Sequence, residues 1–348
     1  MLFKLTSSFN IHKVWQKKSF ISYLLIPFSL LWVLGTYLRN LKKPYESNIF
    51  TICLGNINLG GSGKTPSAIY LGQQLSQQIP KVKIAFLSKG YKSKLQGPLW
   101  VIPQSQTLNN PQDVGDEPLL LAQVLPTLIA KNLKQGLRFL EQENFDLVII
   151  DDGLQNPNIN KNFRILVING NYGFGNQRIF PAGPLREKIN FRLSNVDFIL
   201  LLEEDKKAIT SLIKQFQVPF TTGAYKPSNF LSPISAQAKG FYAFCGIGMP
   251  EKFLLTLRQS NVVVKLFKAF PDHYQYQDKD LEALSNYAQQ NQLQLITTAK
   301  DYVKIPKAYK KNIISFNIKL ELDNKDILLD TILKQYLTFK TRANYDKN

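Results

Sequence analysis

The apolar run Ile49-Phe50-Thr51-Ile52-Cys53-Leu54 leads without interruption into Gly55-Asn56-Ile57-Asn58-Leu59-Gly60-Gly61-Ser62-Gly63-Lys64-Thr65. Few loops constrain a fold more tightly. A strand feeding a glycine-rich turn that ends in Gly-Lys-Thr, with a helical segment from Ser67 to Gln78 behind it, predicts a phosphate-cradling loop in an α/β nucleotide-binding protein. Gly60, Gly61 and Gly63 let backbone N–H groups turn toward an anion in conformations that a Cβ would resist. Lys64 supplies a point charge for the outer phosphates, and the Thr65 hydroxyl suits Mg²⁺. The helix behind them offers orphan amides and the positive end of its dipole. The full pattern has glycine six residues before the lysine, where this chain carries Asn58.

A second apolar strand, Leu147-Val148-Ile149-Ile150, ends in Asp151-Asp152-Gly153. Behind a phosphate loop, carboxylates at a strand's C-terminal edge fall next to the nucleotide and hold Mg²⁺ directly or through water. Asp116 and Glu117, which open the helical run Leu119 to Leu128, admit two readings. One is capping and dipole complementation; the other is a catalytic base and a metal ligand, because phosphoryl transfer to an alcohol needs an acceptor for its proton. Taken alone, His273 in Phe270-Pro271-Asp272-His273-Tyr274 reads as a surface residue of a loop.

The 348 residues suffice for two domains with their own cores. Strand-like Lys83–Leu87 and Leu147–Ile150 alternate with helical segments, including about 133–143, which predicts a parallel sheet flanked by helices. This P-loop domain is assigned to residues 46–160, completed by the helical stretch within 322–348. A second alternation, with strands near 165–168, 198–201, 241–244 and 293–296, is assigned to a smaller α/β domain over 161–321. Cys53 and Cys245 lie far apart in apolar runs with no metal or redox spacing, so they read as buried free thiols of a reducing compartment.

Residues 1–45 form a separate region. Twenty uncharged residues, Ser19 to Leu38, separate Lys18 from Arg39 and would span ~30 Å as a helix. No cleavage signature follows, and basic residues on both sides give no orientation for a spanning helix. Pro27, interfacial Tyr23, Trp32 and Tyr37, and the flanking Lys17, Lys18, Arg39, Lys42 and Lys43 favour a helix lying at a membrane surface; a helix docked on the protein itself is the bland alternative. The formal charge of +18 also admits nucleic acid as a partner, but its concentration beside an apolar segment argues against that.

In order along nearly the whole chain, these motifs resemble the tetraacyldisaccharide 4′-kinase family of Gram-negative inner membranes. The resemblance rests on Gly55 through Pro66, Ser88 to Tyr91, Val114-Gly115-Asp116-Glu117-Pro118, Asp151-Asp152-Gly153-Leu154-Gln155 and Phe180-Pro181-Ala182-Gly183-Pro184-Leu185-Arg186-Glu187. It continues in Gly246 to Phe253, Phe270 to Tyr274 and Thr298-Ala299-Lys300-Asp301. It implies ATP- and Mg²⁺-dependent phosphorylation of the 4′-hydroxyl of an acylated disaccharide 1-phosphate, giving lipid IVA for lipid A. It also implies a two-domain body with its active site in the cleft, an N-terminal helix at the cytoplasmic face of the inner membrane, and no obligate protein partner. On matching positions, Asp116 is the base for the sugar hydroxyl, paired with His273, and Lys64 neutralises phosphate. Thr65, Glu117 and Asp152 serve the metal. Asn58, Leu59, Gly60, Gly61, Ser62, Gly63, Lys64, Thr65, Asp151 and Gln155 hold the nucleotide. Lys42 and Lys43 are candidates for the substrate's 1-phosphate or for the anionic lipid surface alone, and Arg186 for that phosphate or for a structural role in its loop.

Three positions depart from the family pattern: Asn156 stands for a histidine, Lys89 for an arginine and Ala299 for an acid. The competing function is a membrane-associated P-loop ATPase or GTPase switch, for which Asp116 and His273 would be dispensable and Lys64 would not.

Overall fold

The computed structural model describes residues 15–41, 43–59, 63–91, 93–102, 111–228 and 239–345. Its strands, in chain order, are β1 Phe50–Gly55, β2 Ile84–Ser88, β3 Leu99–Val101, β4 Thr127–Ile129, β5 Leu147–Asp151, β6 Phe163–Asn169, β7 Phe198–Leu202, β8 Phe220–Pro227, β9 Phe241–Cys245, β10 Val264–Ala269, β11 Gln294–Thr298, β12 Ile313–Phe316 and β13 Ile318–Leu322. The chain divides into two compact units. One comprises residues up to Ser67, Asp146–Ala224 and Leu322 onward; the other comprises Ala68–Phe145 and Tyr225–Glu321.

In the first unit β1 is central, pairing in parallel with β5 on one side and β6 on the other. β7 runs parallel to β6, and β8 parallel to β7. All residues of β1, β5 and β7 are buried, the signature of a parallel sheet covered on both faces, where strands read as continuous apolar runs. Sequence reading placed the β6 and β7 segments after a boundary at residue 160; Ile52 opposite Phe163 instead puts them in the sheet of the phosphate-loop strand. Apolar runs mark strands but carry no record of which neighbour they pair with. The C-terminal helix Lys325–Tyr345 brings Tyr336 and Phe339 edge-on to Phe50, with ring centroids 5.5 Å away in both cases.

The N-terminal segment of this unit is inverted. It forms helices Phe20–Leu24 and Ile26–Arg39, broken where Pro27 enters the first turn of the second. Serines face the protein. Ser29 Oγ donates to the Ile179 carbonyl at 2.8 Å, Arg178 donates to Ser22 Oγ at 2.9 Å, and both serines are buried. Trp32 Nε1 donates to the Arg186 carbonyl at 3.0 Å, and its ring packs on Phe180 with centroids 4.9 Å apart. The apolar side chains turn outward: Phe20 is 82% exposed, Leu30 67% and Leu31 66%. Burying one such side chain is worth about 1.5–3 kcal/mol, and this fold forgoes that gain many times in one segment.

The second unit holds two groups of strands. β2 and β4 are parallel, with β3 antiparallel on β4; β10-β9-β11-β12 form a wholly parallel four-stranded sheet. Here the expected helix from Leu119 to Leu128 is corrected. The helix spans Asp116–Leu121, and Thr127–Ile129 is the strand β4. Turns continue to Leu125, and Pro126 keeps them from carrying the helix on into β4, because proline disfavours helix at the residue before it and lacks a donor. Cys53 on β1 and Cys245 on β9 are buried and free, and burial pushes both thiols up to about 12, which leaves them inert. The α/β architecture follows the sequence: a parallel-rich sheet with helices, and a second, smaller α/β sheet.

Candidate active site

Two clusters of polar side chains stand at strand ends, one in each unit. In the first, the segment after β1 turns at Gly63, whose φ of +91° is a conformation that side chains resist. Lys64 opens the helix Lys64–Gln78 and donates to Asn56 Oδ1 at 3.1 Å, with Asp152 Oδ1 at 3.8 Å. Thr65 Oγ1 donates to Asp151 Oδ2 at 2.8 Å, both residues being buried at the end of β5. Asp152 follows in the left-handed region at φ +56°, where a non-glycine residue costs of order 1–3 kcal/mol and needs surroundings that hold it. Arg186 supplies that hold, donating to Asp152 Oδ1 at 3.0 Å and to Gln155 Oε1 at 3.2 Å. Gln155 passes its amide N–H groups to the Asn56 carbonyl at 2.6 Å and to Glu187 at 3.0 Å, and Glu187 takes a two-pronged pair from buried Arg192.

The structure thus brings Lys64, Thr65, Asp151, Asp152 and Gln155 together. Asn58 donates to the Gly173 carbonyl at 2.7 Å and the Leu59 N–H to the Pro184 carbonyl at 2.7 Å, so both tie the loop to residues 173–185. Gly60, Gly61, Ser62 and Lys42 lie outside the described residues. Arg186, considered for substrate phosphate on sequence, is engaged with Asp152. Its proximity to that carboxylate was legible only as part of a motif, since 34 residues separate them. Asn156 is buried, accepts the Asn158 N–H at 2.8 Å and offers its carbonyl to Lys161 at 2.6 Å. That is a turn-forming role, with no titratable group where the family pattern has one.

The hydroxyl of Thr65 and the carboxylates of Asp151 and Asp152 are hard oxygen donors, which fits Mg²⁺. Among the described residues no set of three or more His, Cys, Asp or Glu is placed to hold a metal. A magnesium ion here would therefore share its shell with phosphate oxygens and water, as that ion commonly does.

The second cluster is built around Asp116. Gly115, at φ +91°, turns the chain into the short helix Asp116–Leu121, and a Cβ there would stand 3.0 Å from the Tyr91 carbonyl. Asp116 is buried, and His273 Nδ1 lies 2.9 Å from its Oδ2. Lys300 Nζ lies 3.4 Å from His273 Nε2 and 3.6 Å from Glu117 Oε1. Nε2 faces Lys300 and, at 3.8 Å, Asp272 Oδ2, while a proton on Nδ1 donates to Asp116. Burial alone would raise the Asp116 carboxyl. The His273 hydrogen bond and the charges of Lys304 and Lys300 outweigh it and hold the carboxyl below the ordinary carboxylate range. His273 is no surface residue: its side chain is 11% exposed, beside the Tyr91 ring. No spacing signal could pair it with Asp116 across 157 residues.

The lowered Asp116 value fixes a sign. Such a group adds stability that is complete above its unfolded value of about 3.9 and is lost as pH falls through its folded value. Melting temperatures of wild type and Asp116→Asn, followed from about pH 7 to about pH 3, should therefore converge at the acid end. A gap that stays constant would show that Asp116 is not held ionised.

Residues 21–337 match the LpxK family, tetraacyldisaccharide-1-P 4′-kinase. The tetraacyldisaccharide 4′-kinase of Rickettsia akari (strain Hartford) is 34% identical over 328 residues, 94% of this chain and 98% of its own. That of Rickettsia canadensis (strain McKiel) is 35% identical over 329 residues, with the same coverage of 94% and 98%. Among solved structures, LpxK from Aquifex aeolicus in complex with ATP is similar with a TM-score of 0.73 at 26% identity, over 91% of this chain and 99% of that one.

Proposed function

The chain belongs to the tetraacyldisaccharide-1-P 4′-kinase family, and on that premise we propose that it moves the γ-phosphate of ATP to the 4′-hydroxyl of a tetraacyldisaccharide 1-phosphate in lipid A biosynthesis. The observation that carries the reading is the buried Asp116–His273 pair, 2.9 Å from oxygen to nitrogen. A nucleotide switch has no need of a base for a sugar alcohol; a kinase does. Asp116 takes the proton of the 4′-hydroxyl as its oxygen attacks phosphorus, while His273 orients the carboxylate and shares the charge change. Lys64 steadies the negative charge on the transferring phosphoryl group. Thr65, Asp151 and Asp152 would hold Mg²⁺ with the nucleotide. When bound, the metal supplies charge neutralisation at the β- and γ-phosphate oxygens. Gln155, with Asn58, Leu59 and Gly63, would face the nucleotide.

The test is transfer of label from ATP to tetraacyldisaccharide 1-phosphate in detergent micelles. A bisphosphorylated lipid is the expected product; nucleotide hydrolysis with no labelled lipid would return the chain to the switch reading.

The outward apolar face of residues 20–38 supports peripheral membrane attachment. Among the described residues no helix is long and apolar enough to cross a membrane, and exposed Lys17, Lys18, Arg39 and Lys43 flank the segment, a pattern suited to anionic lipid surfaces. Replacing Leu30 and Leu34 together with glutamate should weaken co-sedimentation with anionic vesicles by about 10-fold or more, since each leucine loses a transfer gain of about 1.5–3 kcal/mol. Solution melting should hardly change, because both side chains already meet solvent. Unchanged vesicle binding would place the attachment elsewhere.

A further inference from the structure

The second unit carries a buried charge pair of which the proposed chemistry uses only the field of Lys304 on Asp116. Lys304 Nζ lies 2.6 Å from Asp301 Oδ1, and both side chains are 0% exposed. A fully buried ion pair is weak evidence for stability, because the desolvation of two charges offsets most of their attraction. Its placement says more. Asp301 is fixed by its own turn: Thr298 Oγ1 donates to Asp301 Oδ2 at 2.6 Å and accepts the Asp301 N–H at 3.0 Å. The same Oδ2 accepts the N–H of Gly246, at the end of β9, at 3.0 Å. The Gly246 carbonyl in turn accepts the His273 N–H at 3.0 Å.

This backbone relay reaches a residue under strain. His273 sits at φ +61°, a left-handed conformation that persists only where surrounding contacts over-determine it. Gly246 is hemmed in as well. A Cβ there would stand 3.0 Å from Tyr274 Cβ, 3.1 Å from the Pro271 carbonyl and 3.2 Å from Asp301 Oδ1, so the 271–274 turn and Asp301 close on the same glycine. On the far side, Lys304 Nζ stands over the Tyr276 ring at 5.4 Å, pinning the stretch of chain that follows the turn.

We propose that Asp301 and Lys304 are positioning residues for the Asp116–His273 pair. Lys304 fixes the Asp301 carboxylate, Asp301 holds the Gly246 peptide, and that peptide locks the His273 backbone in the conformation that aims Nδ1 at Asp116. The Thr298-Ala299-Lys300-Asp301 stretch thereby acquires a purpose: it ends β11 in a cap whose aspartate faces inward. The inference rests on His273 acting in the kinase reaction.

The experiment is a double-mutant cycle in the full-length protein, reading kcat and KM for lipid phosphorylation. Asp301→Asn in the wild-type background should lower kcat by ~10- to 100-fold, the range a displacement of about 1 Å in a catalytic group produces, with KM for ATP unchanged. In a His273→Ala background the same substitution should change kcat less than about twofold, because it acts through the missing imidazole. Lys304→Arg, which keeps the buried cation, should retain more activity than Lys304→Met. Equal losses from Asp301→Asn in both backgrounds would overturn the proposal and leave the pair a purely structural element. If His273→Ala alone is harmless, the underlying reading of His273 fails instead. Should Asp301→Asn not fold, Thr298→Val removes one hydrogen bond to the carboxylate and leaves the ion pair, and the same cycle with Thr298→Val decides.

Discussion

Asp116→Ala is expected to cut lipid phosphorylation by about 10²- to 10⁴-fold, the usual worth of a positioned general base, while nucleotide still binds. The separation follows from where the groups lie. Asp116 is held by His273 within the second unit, whereas Lys64, Thr65, Asp151 and Asp152 form their cluster in the first. Its loss does leave the His273 Nδ1–H without its acceptor in a site that is mostly buried, a penalty of about 1–3 kcal/mol, so some loss of melting temperature should accompany it. Asp116→Asn distinguishes the two effects. The amide oxygen still accepts from His273 and should restore stability at neutral pH in part, but it cannot take up the hydroxyl proton, so activity should stay low. Fluorescent-nucleotide binding measured beside the transfer assay separates lost chemistry from lost binding. If either variant phosphorylates lipid at the wild-type rate, Asp116 is a capping residue and the base lies elsewhere.

How far the sequence leads depends on the range of the interaction. Lys64 and Thr65 are legible because a phosphate loop is local: strand, turn and helix occur in one stretch, and their geometry requires those residue types in that order. Asp151 and Asp152 are legible for the same reason at the end of β5. The inverted Phe20–Arg39 segment shows its composition but not its orientation, since a largely apolar, uncharged run looks alike whether it faces lipid or protein; Ser22 and Ser29 turning inward decide it. The pairing of β6 with β1, and of His273 with Asp116, depends on tertiary choices that no local pattern encodes. Resemblance to a known family suggested the second pairing, and the geometry supplied the reason: a strained loop, an imidazole nitrogen 2.9 Å from a buried carboxylate, and a carboxyl held below its ordinary range. The Arg186–Asp152 contact lay in plain view as a motif, yet its partner emerged only from the fold.

Lys64→Ala should remove about 10²- to 10³-fold of kcat, the scale of one electrostatic stabiliser of a transition state, and unlike Asp116→Ala it should also weaken nucleotide binding. Lys64 is mostly buried, with 14% of its side chain exposed, and its ammonium is held at 3.1 Å by Asn56 and near Asp152 at 3.8 Å. Those contacts pre-position the charge before nucleotide arrives, so little reorganisation is needed as negative charge develops on the phosphoryl oxygens. Without it, Asp152 keeps Arg186 as a cation partner. Lys64→Arg should fail to rescue: a planar, forked guanidinium does not reproduce a compact point charge in a loop that closes around phosphate. ATP hydrolysis and lipid labelling should fall together in both variants, whereas Asp116→Ala lowers transfer with binding intact. A Lys64→Ala protein that binds ATP and labels lipid like wild type would mean that the Gly-Lys-Thr turn is not the phosphate site, and the reading of both clusters would have to be rebuilt from there.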